Sequence, residues 1–288
     1  MSDFTLDDLA ALPKPEIIEE ISYEPLLNAR KEKIVELAPS YGLTYDVETL
    51  ETDPAMIISQ SGTYREAVLR ARGNDIARSA YLYFARGAAL EHLAAFYDVV
   101  RMAGESDDRL KRRVVLAVKG RSTAGTKPRY QFYAMSSSIE VEDAEVYTVE
   151  RSPILYAAVL STSLDGVAEA PLLETVRAAI EDPEVRGVND TFVVRSAVIE
   201  VAPVTVAMTL LPNTDASIVA TLAAQLPAAW AEQGKLGRDL TLDWIRAYLM
   251  VPGVHSVQIS EPANDIVMQP FEAVRIGAVD LTIAGREF

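Results

Sequence analysis

The chain has 288 residues, and 42 acidic against 27 basic side chains give it a formal net charge of −15. An acidic excess of this size disfavours nucleic acid as a partner, because such binding depends on neutralising phosphates. The sequence has no cysteine, which excludes thiol nucleophiles, zinc–thiolate sites and iron–sulfur clusters. It also has neither a basic and apolar leader nor a run of eighteen apolar residues, so we expect no secretory signal and no membrane span.

The charges are distributed in blocks. Residues 1–60 carry a net charge of −9, residues 61–133 one of +7, and residues 134–288 one of −13. Because opposite potentials steer association, this pattern favours subunits that meet head to tail. The alternative is a basic helical segment neutralised within its own fold, and the sequence leaves both interpretations open.

Residues 1–52 are the first of four predicted parts, a helical arm interrupted by prolines. Its best helix runs from about Glu24 to Leu37 and has an apolar stripe opposite a charged face. Since no core is evident in this part of the sequence, we expect the arm to pack on a partner chain. The predicted contact residues on this helix are Leu26, Leu27, Arg30, Ile34 and Leu37.

Residues 53–138 are predicted to form a helical domain. Asp53 followed by Pro54 is a typical helix start, with the aspartate as cap and the proline in the first turn. From there apolar side chains recur at three- and four-residue steps as far as Gly87, which predicts one long helix. A second helix is indicated around residues 90–97.

Two further helices are predicted in the same domain. Ser106 is the expected cap of the first of them, and Thr126 is the expected cap of the other. Arg112 and Arg113 lie on the helix that follows Ser106, in the most basic stretch of the chain. We predict that both arginines contact a partner.

After residue 138 the spacing of apolar residues changes from about 3.6 towards two, which indicates strands. Strands and helices then alternate, with TFVVRSAVIEV and PVTVAMTLL read as separate strands. This order predicts two α+β modules, at 139–200 and 201–288, each with helices on one face of a mostly antiparallel sheet. The fold class is therefore α+β, with helices in the N-terminal half.

Residues suited to catalysis are few. His92 and His255 lie in different parts of the sequence, and neither has a second histidine at ligand spacing. The glycine-rich stretch at 120–127 is not a phosphate loop, because Thr126 separates its lysine from the preceding glycine and the stretch follows a helix. We predict no catalytic residue, cofactor or metal. An acidic cytosolic enzyme using carboxylates and one histidine stays the alternative, as does an adaptor outside phages.

Three blocks of sequence together carry a family resemblance. They are IIEEISYEPLLNARKEKIVEL, then YREAVLRARGNDIARSAYLYFARGAALEHLAAFYDVVR with GESDDRLKRRV and STAG, and finally DGVA, VRGVNDTFVV and KLGRDLTLDWIRAYLMVPGVHSVQISEPANDI. In this order they resemble the baseplate J-like wedge proteins of contractile-tailed phages and related injection systems. The matching positions of the middle block are Gly87, Leu90, Leu93, Arg101, Glu105, Ser106, Asp107, Leu110 and Arg113, with Lys111 where arginine is usual.

The resemblance covers nearly the whole chain and implies a structural role in the tail baseplate of a virion assembled in the host cytoplasm. Proteins of this family form wedges in which two copies associate with one I-type tail wedge protein and contact the W-type lysozyme-like wedge protein. Six wedges close into a ring around the central hub, and the ring passes the contraction trigger to the sheath. No catalytic residue and no cofactor come with the family.

Overall fold

The computed structural model describes residues 6–13, 15, 19–44, 53–122, 125–150 and 152–287. The chain forms two compact units. The first comprises Met1–Arg101 with Ser106–Arg112, and the second comprises Met102–Glu105 with Arg113–Phe288. None of the helices in the described ranges is long and apolar enough to cross a membrane.

Helices make up the first unit. The predicted helix of the arm is confirmed as α2, which is followed directly by a 3₁₀ turn at Ala38–Tyr41. The parts of the arm at 1–5, 14, 16–18 and 45–52 lie outside the described residues. The helices here are α1 (Leu6–Ala11), α2 (Tyr23–Leu37), α3 (Ala55–Ser79), α4 (Gly87–Phe96) and α5 (Asp107–Lys119), whose last turns belong to the second unit.

Helix α3 begins as predicted but ends early. The Asp53 carboxylate accepts a hydrogen bond from the Ala55 amide at 2.8 Å and so caps the first turn. The expected continuation to Gly87 is wrong, because the helix ends at Ser79. Two long-range contacts hold the chain that follows it. The Tyr83 carbonyl accepts from Lys111 Nζ at 2.8 Å, and the Gly87 amide donates to Asp107 at 3.2 Å.

The two predicted caps further along the chain differ in outcome. Ser106 caps α5, since its hydroxyl accepts from the Arg109 amide at 3.3 Å. Thr126 precedes helix α6 (Lys127–Ser137) at the cap position, but its side chain makes no capping bond. Its hydroxyl is buried without a hydrogen-bond partner in the described residues. The helix therefore begins after Thr126 as predicted, but the predicted capping hydrogen bond is not formed.

The first α+β module packs two helices on one face of a three-stranded sheet. Its core comes from Tyr130 and Met135 on α6, from Val176 and Ile180 on the helix between the second and third strands, and from inward-facing strand residues such as Val159. The sheet order is β1-β2-β3, with β1 and β2 antiparallel and β2 and β3 parallel. The elements are β1 (Val141–Thr148), β2 (Ile154–Ser161), α7 (Ala170–Ile180) and β3 (Thr191–Ser196).

The second module repeats this layout with a larger core. Trp230 is buried at its centre, and its indole N–H donates to the Val274 carbonyl at 2.9 Å. The sheet order is β5-β4-β6, with β5 antiparallel and β6 parallel to the central strand. The elements are β4 (Val198–Leu210), α8 (Ser217–Gln233), α9 (Leu242–Leu249), β5 (Val254–Glu261) and β6 (Glu272–Arg286).

The α+β fold class is confirmed, and so is the helical character of the N-terminal half. The antiparallel pairs are as predicted. Each sheet also has a parallel pair: helix α7 lies between β2 and β3 in the first sheet, and α8, α9 and β5 lie between β4 and β6 in the second.

The predicted division of the strands at residues 191–211 is wrong. Pro203, with which the second of these strands was predicted to begin, lies inside β4 at an irregularity where the pairing with β6 shifts between Ala202 and Val204. A strand tolerates proline at such a bulge because no ladder hydrogen bond is required there. The chain changes sheets earlier, at Ala197, which separates β3 from β4.

Candidate assembly surfaces

Helix α3 has its apolar face in solvent. With 100° between successive residues, six large apolar side chains fall on one broad face of this helix, where a core-facing helix would bury them. Each is between 49% and 75% exposed. They are Ile57, Ile58, Tyr64, Val68, Leu69 and Ile76.

The opposite face of α3 is buried, and it is largely polar. Ser59 and Thr63 are buried there, and their hydroxyls donate to carbonyls one turn earlier in the helix, both at 2.9 Å. Buried hydroxyls satisfied in this way carry little desolvation cost. This face packs against α2. Helix α3 therefore turns its largely polar face towards its own unit and its apolar face towards solvent.

Polar contacts fasten the arm to α3. Arg30 of α2 lies over Gly62, where a Cβ atom would clash with its guanidinium, and it donates to Glu66 at 3.1 Å. The hydrogen bonds from Arg30 and Arg70 lower the pKa of the Glu66 carboxyl. Further up the helix, the Asn74 amide exchanges two hydrogen bonds with the backbone of Glu19, at 3.0 and 2.8 Å.

The predicted contact residues of α2 therefore differ in accessibility. Leu27 is buried within the unit, Leu26, Arg30 and Ile34 are half-buried, and Leu37 is exposed. Part of the stripe is covered by α3 of the same chain, which the sequence did not indicate. Contact between α2 and a partner stays a prediction, with Leu37 and the accessible edges of Leu26 and Ile34 as its available surface.

The two predicted arginines of α5 also differ. Arg112 is half-buried, and it has no ion-pair partner among the described residues. Arg113 is buried and bonded to the Glu105 carboxylate and the Ser136 hydroxyl, and its guanidinium lies 5.8 Å from the centre of the Phe132 ring. Of the two, Arg112 alone has a charge that a partner could reach.

The motif residues before α5 organise the turn at its start. Arg101 donates to Glu91 at 2.7 Å and to Asp107 at 2.6 Å. The Asp107 carboxylate also accepts from the Gly87 amide, so one side chain joins the starts of α4 and α5. The hydrogen bond from Arg101 lowers the pKa of Asp107. These positions therefore maintain the fold of the first unit.

The two histidines are both exposed, His92 on α4 in the first unit and His255 on β5 in the second. Over the described ranges, no group of three or more histidine or carboxylate side chains is placed to hold a metal ion.

Comparison with known proteins gives matches to two family models and to a relative that covers most of the chain. Residues 51–108 match a family model described as the Baseplate J-like N-terminal domain, and residues 202–282 match the Baseplate J-like protein C-terminal domain. The chain is 32% identical over 284 residues to Baseplate protein J of Escherichia phage P2, covering 92% of this chain and 94% of that one. A chain in the 6-fold symmetrised cryo-EM structure of the anti-feeding prophage baseplate shares 14% identity, with a TM-score of 0.45 over 61% of this chain and 42% of that chain.

Similarity over 92% of the chain to a phage baseplate protein identifies a structural protein of the virion tail. The chain belongs to the Baseplate J-like family.

Proposed function

We propose that the protein is a wedge subunit of a contractile-tail baseplate. Two copies associate with one I-type wedge protein and contact the W-type lysozyme-like wedge protein, and six such wedges close a ring around the central hub. The ring relays the contraction trigger to the sheath. The observation that carries the proposal is the exposed apolar face of α3, because an apolar surface of this extent is typical of a helix that is covered in an assembly.

The charges on this face favour a particular kind of partner. Arg65 and Arg72 are exposed among the apolar side chains, and no ion pair to either is seen in the described part of the chain. Two copies joined through this face would bring these arginines together, at a cost in like-charge repulsion. An amphipathic helix with carboxylates beside its apolar stripe fits better, and we assign this role to the I-type wedge protein.

The test of this assignment is a pair of matched double variants. Ile58→Ser with Leu69→Ser removes two apolar contacts from the α3 face, and Leu164→Ser with Val188→Ser removes two fully exposed side chains from the second unit. Each apolar side chain covered by a partner contributes about 1.5–3 kcal/mol. The α3 variant should therefore lose at least about a hundredfold in affinity for the I-type partner.

Both variants should keep the circular dichroism spectrum of the wild type, because none of the four residues is buried. Equal co-purification of the wild type and the α3 variant with the I-type partner would refute the assignment. Equal losses in both double variants would show a nonspecific effect and would also count against it.

The predicted contact through α2 can be tested without deleting the arm. Leu37→Ser changes an exposed position, whereas Leu27→Ser changes a buried one and should lower stability instead. If α2 takes part in the wedge, Leu37→Ser weakens co-purification while its unfolding midpoint stays unchanged. Unaltered co-purification would remove α2 from the interface.

We further propose that the protein has no catalytic turnover. Both histidines are exposed and neither belongs to a potential metal cluster in the described ranges. Replacing His92 and His255 together with glutamine should leave particle assembly and infectivity within a factor of about two of wild type, since exposed substitutions have small effects on stability. Loss of infectivity by particles that assemble normally would favour the enzyme alternative.

A further inference from the structure

The two sheets of the second unit share one continuous stretch of backbone. The Ala197 amide donates to the Val159 carbonyl of the first sheet at 2.8 Å, and the next amide, of Val198, donates to the Phe271 carbonyl beside the second sheet at 3.1 Å. Consecutive residues are therefore tied to different sheets. Rotation of one sheet against the other would have to break ladder bonds on both sides of this peptide.

A carboxylate of the first module binds two cations of the second. Glu142 on β1 accepts from Lys235 Nζ and from Arg275 Nη2, both at 2.6 Å. The side chains of Glu142 and Arg275 are only 15% and 13% exposed, so water screens this pair weakly. The adjacent Asp143 carboxylate accepts from the Leu236 amide at 3.2 Å.

An arginine of the first module is enclosed by aromatic rings from both modules. The Arg195 guanidinium lies 5.3 Å from the ring centres of Tyr147 and Tyr156, and 4.9 Å from that of Phe271, which precedes β6. It also donates to the Tyr147 hydroxyl. Tyr147 in turn stacks on Phe271, with ring centres 5.2 Å apart. Such cation–π contacts strengthen where water is excluded.

A small apolar cluster completes the junction. Leu160 from the first module and Ala273 from the second pack with Ala197, and Ile199 and Leu236 lie against them. This cluster is separate from the two main cores. The junction thus combines backbone, ionic, aromatic and apolar contacts.

We propose that these contacts lock the two α+β modules into a single rigid body that moves as one lever. Each module has its own core and could otherwise open on its own, as separate cooperative units commonly do. Here, opening the second module alone would take both cations from Glu142 and would remove the Phe271 ring from Arg195 and Tyr147. Because of that cost, we expect the two modules to open together and not one at a time. The use of the lever in contraction rests on the proposed function, but the rigidity itself does not.

Native-state hydrogen exchange of the full chain, followed by mass spectrometry in increasing denaturant, tests this coupling. Slowly exchanging amides of β1 and β2 should merge with those of β4 and β6 into one opening, with a common free energy and denaturant dependence. Two separate openings in the wild type would overturn the proposal. The measurement needs no baseplate partner, so failure of the proposed wedge role would not alter its outcome.

A matched pair of variants on one strand identifies the junction residues. Glu142→Gln removes a carboxylate that binds across the junction, whereas Glu145→Gln removes one that bonds to Lys127 and Gln131 within the first module. In Glu142→Gln the exchange rates of the two modules should separate by at least about tenfold, which is about 1.4 kcal/mol. In Glu145→Gln both modules should still open together.

Should Glu142→Gln not fold, Lys235→Gln removes only one of the two cations, and Arg195→Lys keeps the charge without the planar group. In each of these variants the exchange rates of the two modules are expected to separate, as in Glu142→Gln. A common opening retained in both of these folded variants would overturn the assignment of the junction.

Discussion

Arg113 and Glu105 form a buried ion pair. Arg113 Nη1 lies 2.9 Å from Glu105 Oε2, and the two side chains are 5% and 0% exposed. Glu105 also accepts from the Met102 amide at 3.0 Å, so the pair fastens the turn before α5 to that helix. The resemblance to the baseplate J-like family includes both residues, and their structural role here is to maintain this turn.

Replacement of either partner should strongly destabilise the second unit. Arg113→Met leaves the Glu105 carboxylate buried without its cation, which typically costs about 3–5 kcal/mol. Urea unfolding followed by circular dichroism would measure the loss. The double variant Arg113→Met with Glu105→Gln should lose less than the sum of the two single variants, and simple additivity would contradict the coupling.

Arg112 is the residue with which to test the head-to-tail hypothesis. Arg112→Glu should slow wedge-to-wedge association and weaken its dependence on salt, because exposed charges act over a Debye length of about 8 Å at physiological salt. Light scattering at several salt concentrations would follow assembly. Arg246→Glu makes the same charge change on α9 and serves as the control. Identical rates for wild type and Arg112→Glu at every salt concentration would show a basic stretch neutralised within its own subunit.

Asp107 should make the first unit sensitive to acid. Its pKa in the folded chain is lowered from the ordinary 3.8, chiefly by the hydrogen bond from Arg101. Its contribution to stability is therefore present above the ordinary pKa and is lost as the pH falls through the lowered one. Asp107→Asn should be less stable than wild type by a constant amount from about pH 7 to about pH 5, and the difference should shrink below about pH 4. A difference that does not change with pH would contradict this.

The variant Thr126→Val tests whether the Thr126 hydroxyl caps α6 or is only a buried polar group without a partner. A capping threonine contributes about 0.5–2 kcal/mol. The Thr126 hydroxyl, however, is buried without a partner in the described part of the chain. Valine keeps the branched shape and removes the unsatisfied group, so the variant should be as stable as wild type or more stable by about 1 kcal/mol. A loss of stability on thermal unfolding would show that the hydroxyl caps α6 in solution.

The sequence predicts local features of this fold well. The start of α3 at Asp53, the cap at Ser106 and most helices and strands follow from signals within a few residues. The path of the chain between α3 and α4 does not, because it includes bonds from Tyr83 and Gly87 to Lys111 and Asp107, which lie 28 and 20 residues further along. Periodicity along a segment carries no information about such partners.

The surfaces are harder to predict than the elements. The apolar spacing of α3 is visible in the sequence and normally indicates a core-facing side. Here Ser59 and Thr63 are buried instead, because their hydroxyls bond to the backbone of the same helix. The available signal was a run of large apolar residues next to small polar residues whose hydroxyls can bond to the backbone of the same helix. The charge of Arg113 gave no indication of its burial, since Glu105 precedes it by two helical turns and lies outside the helix.

The route of the chain through the second sheet has a consequence for synthesis. Strand β4 occupies the centre of its sheet, yet its parallel neighbour β6 begins roughly sixty residues further along the chain. On the ribosome, β4 therefore emerges with both edges open, and the edge that pairs with β6 stays open until residues 272–286 have been made. Premature termination before residue 272 leaves an apolar strand without its parallel neighbour, which is a typical starting point for aggregation. The yield of soluble protein should accordingly fall when residues 272–287 are removed.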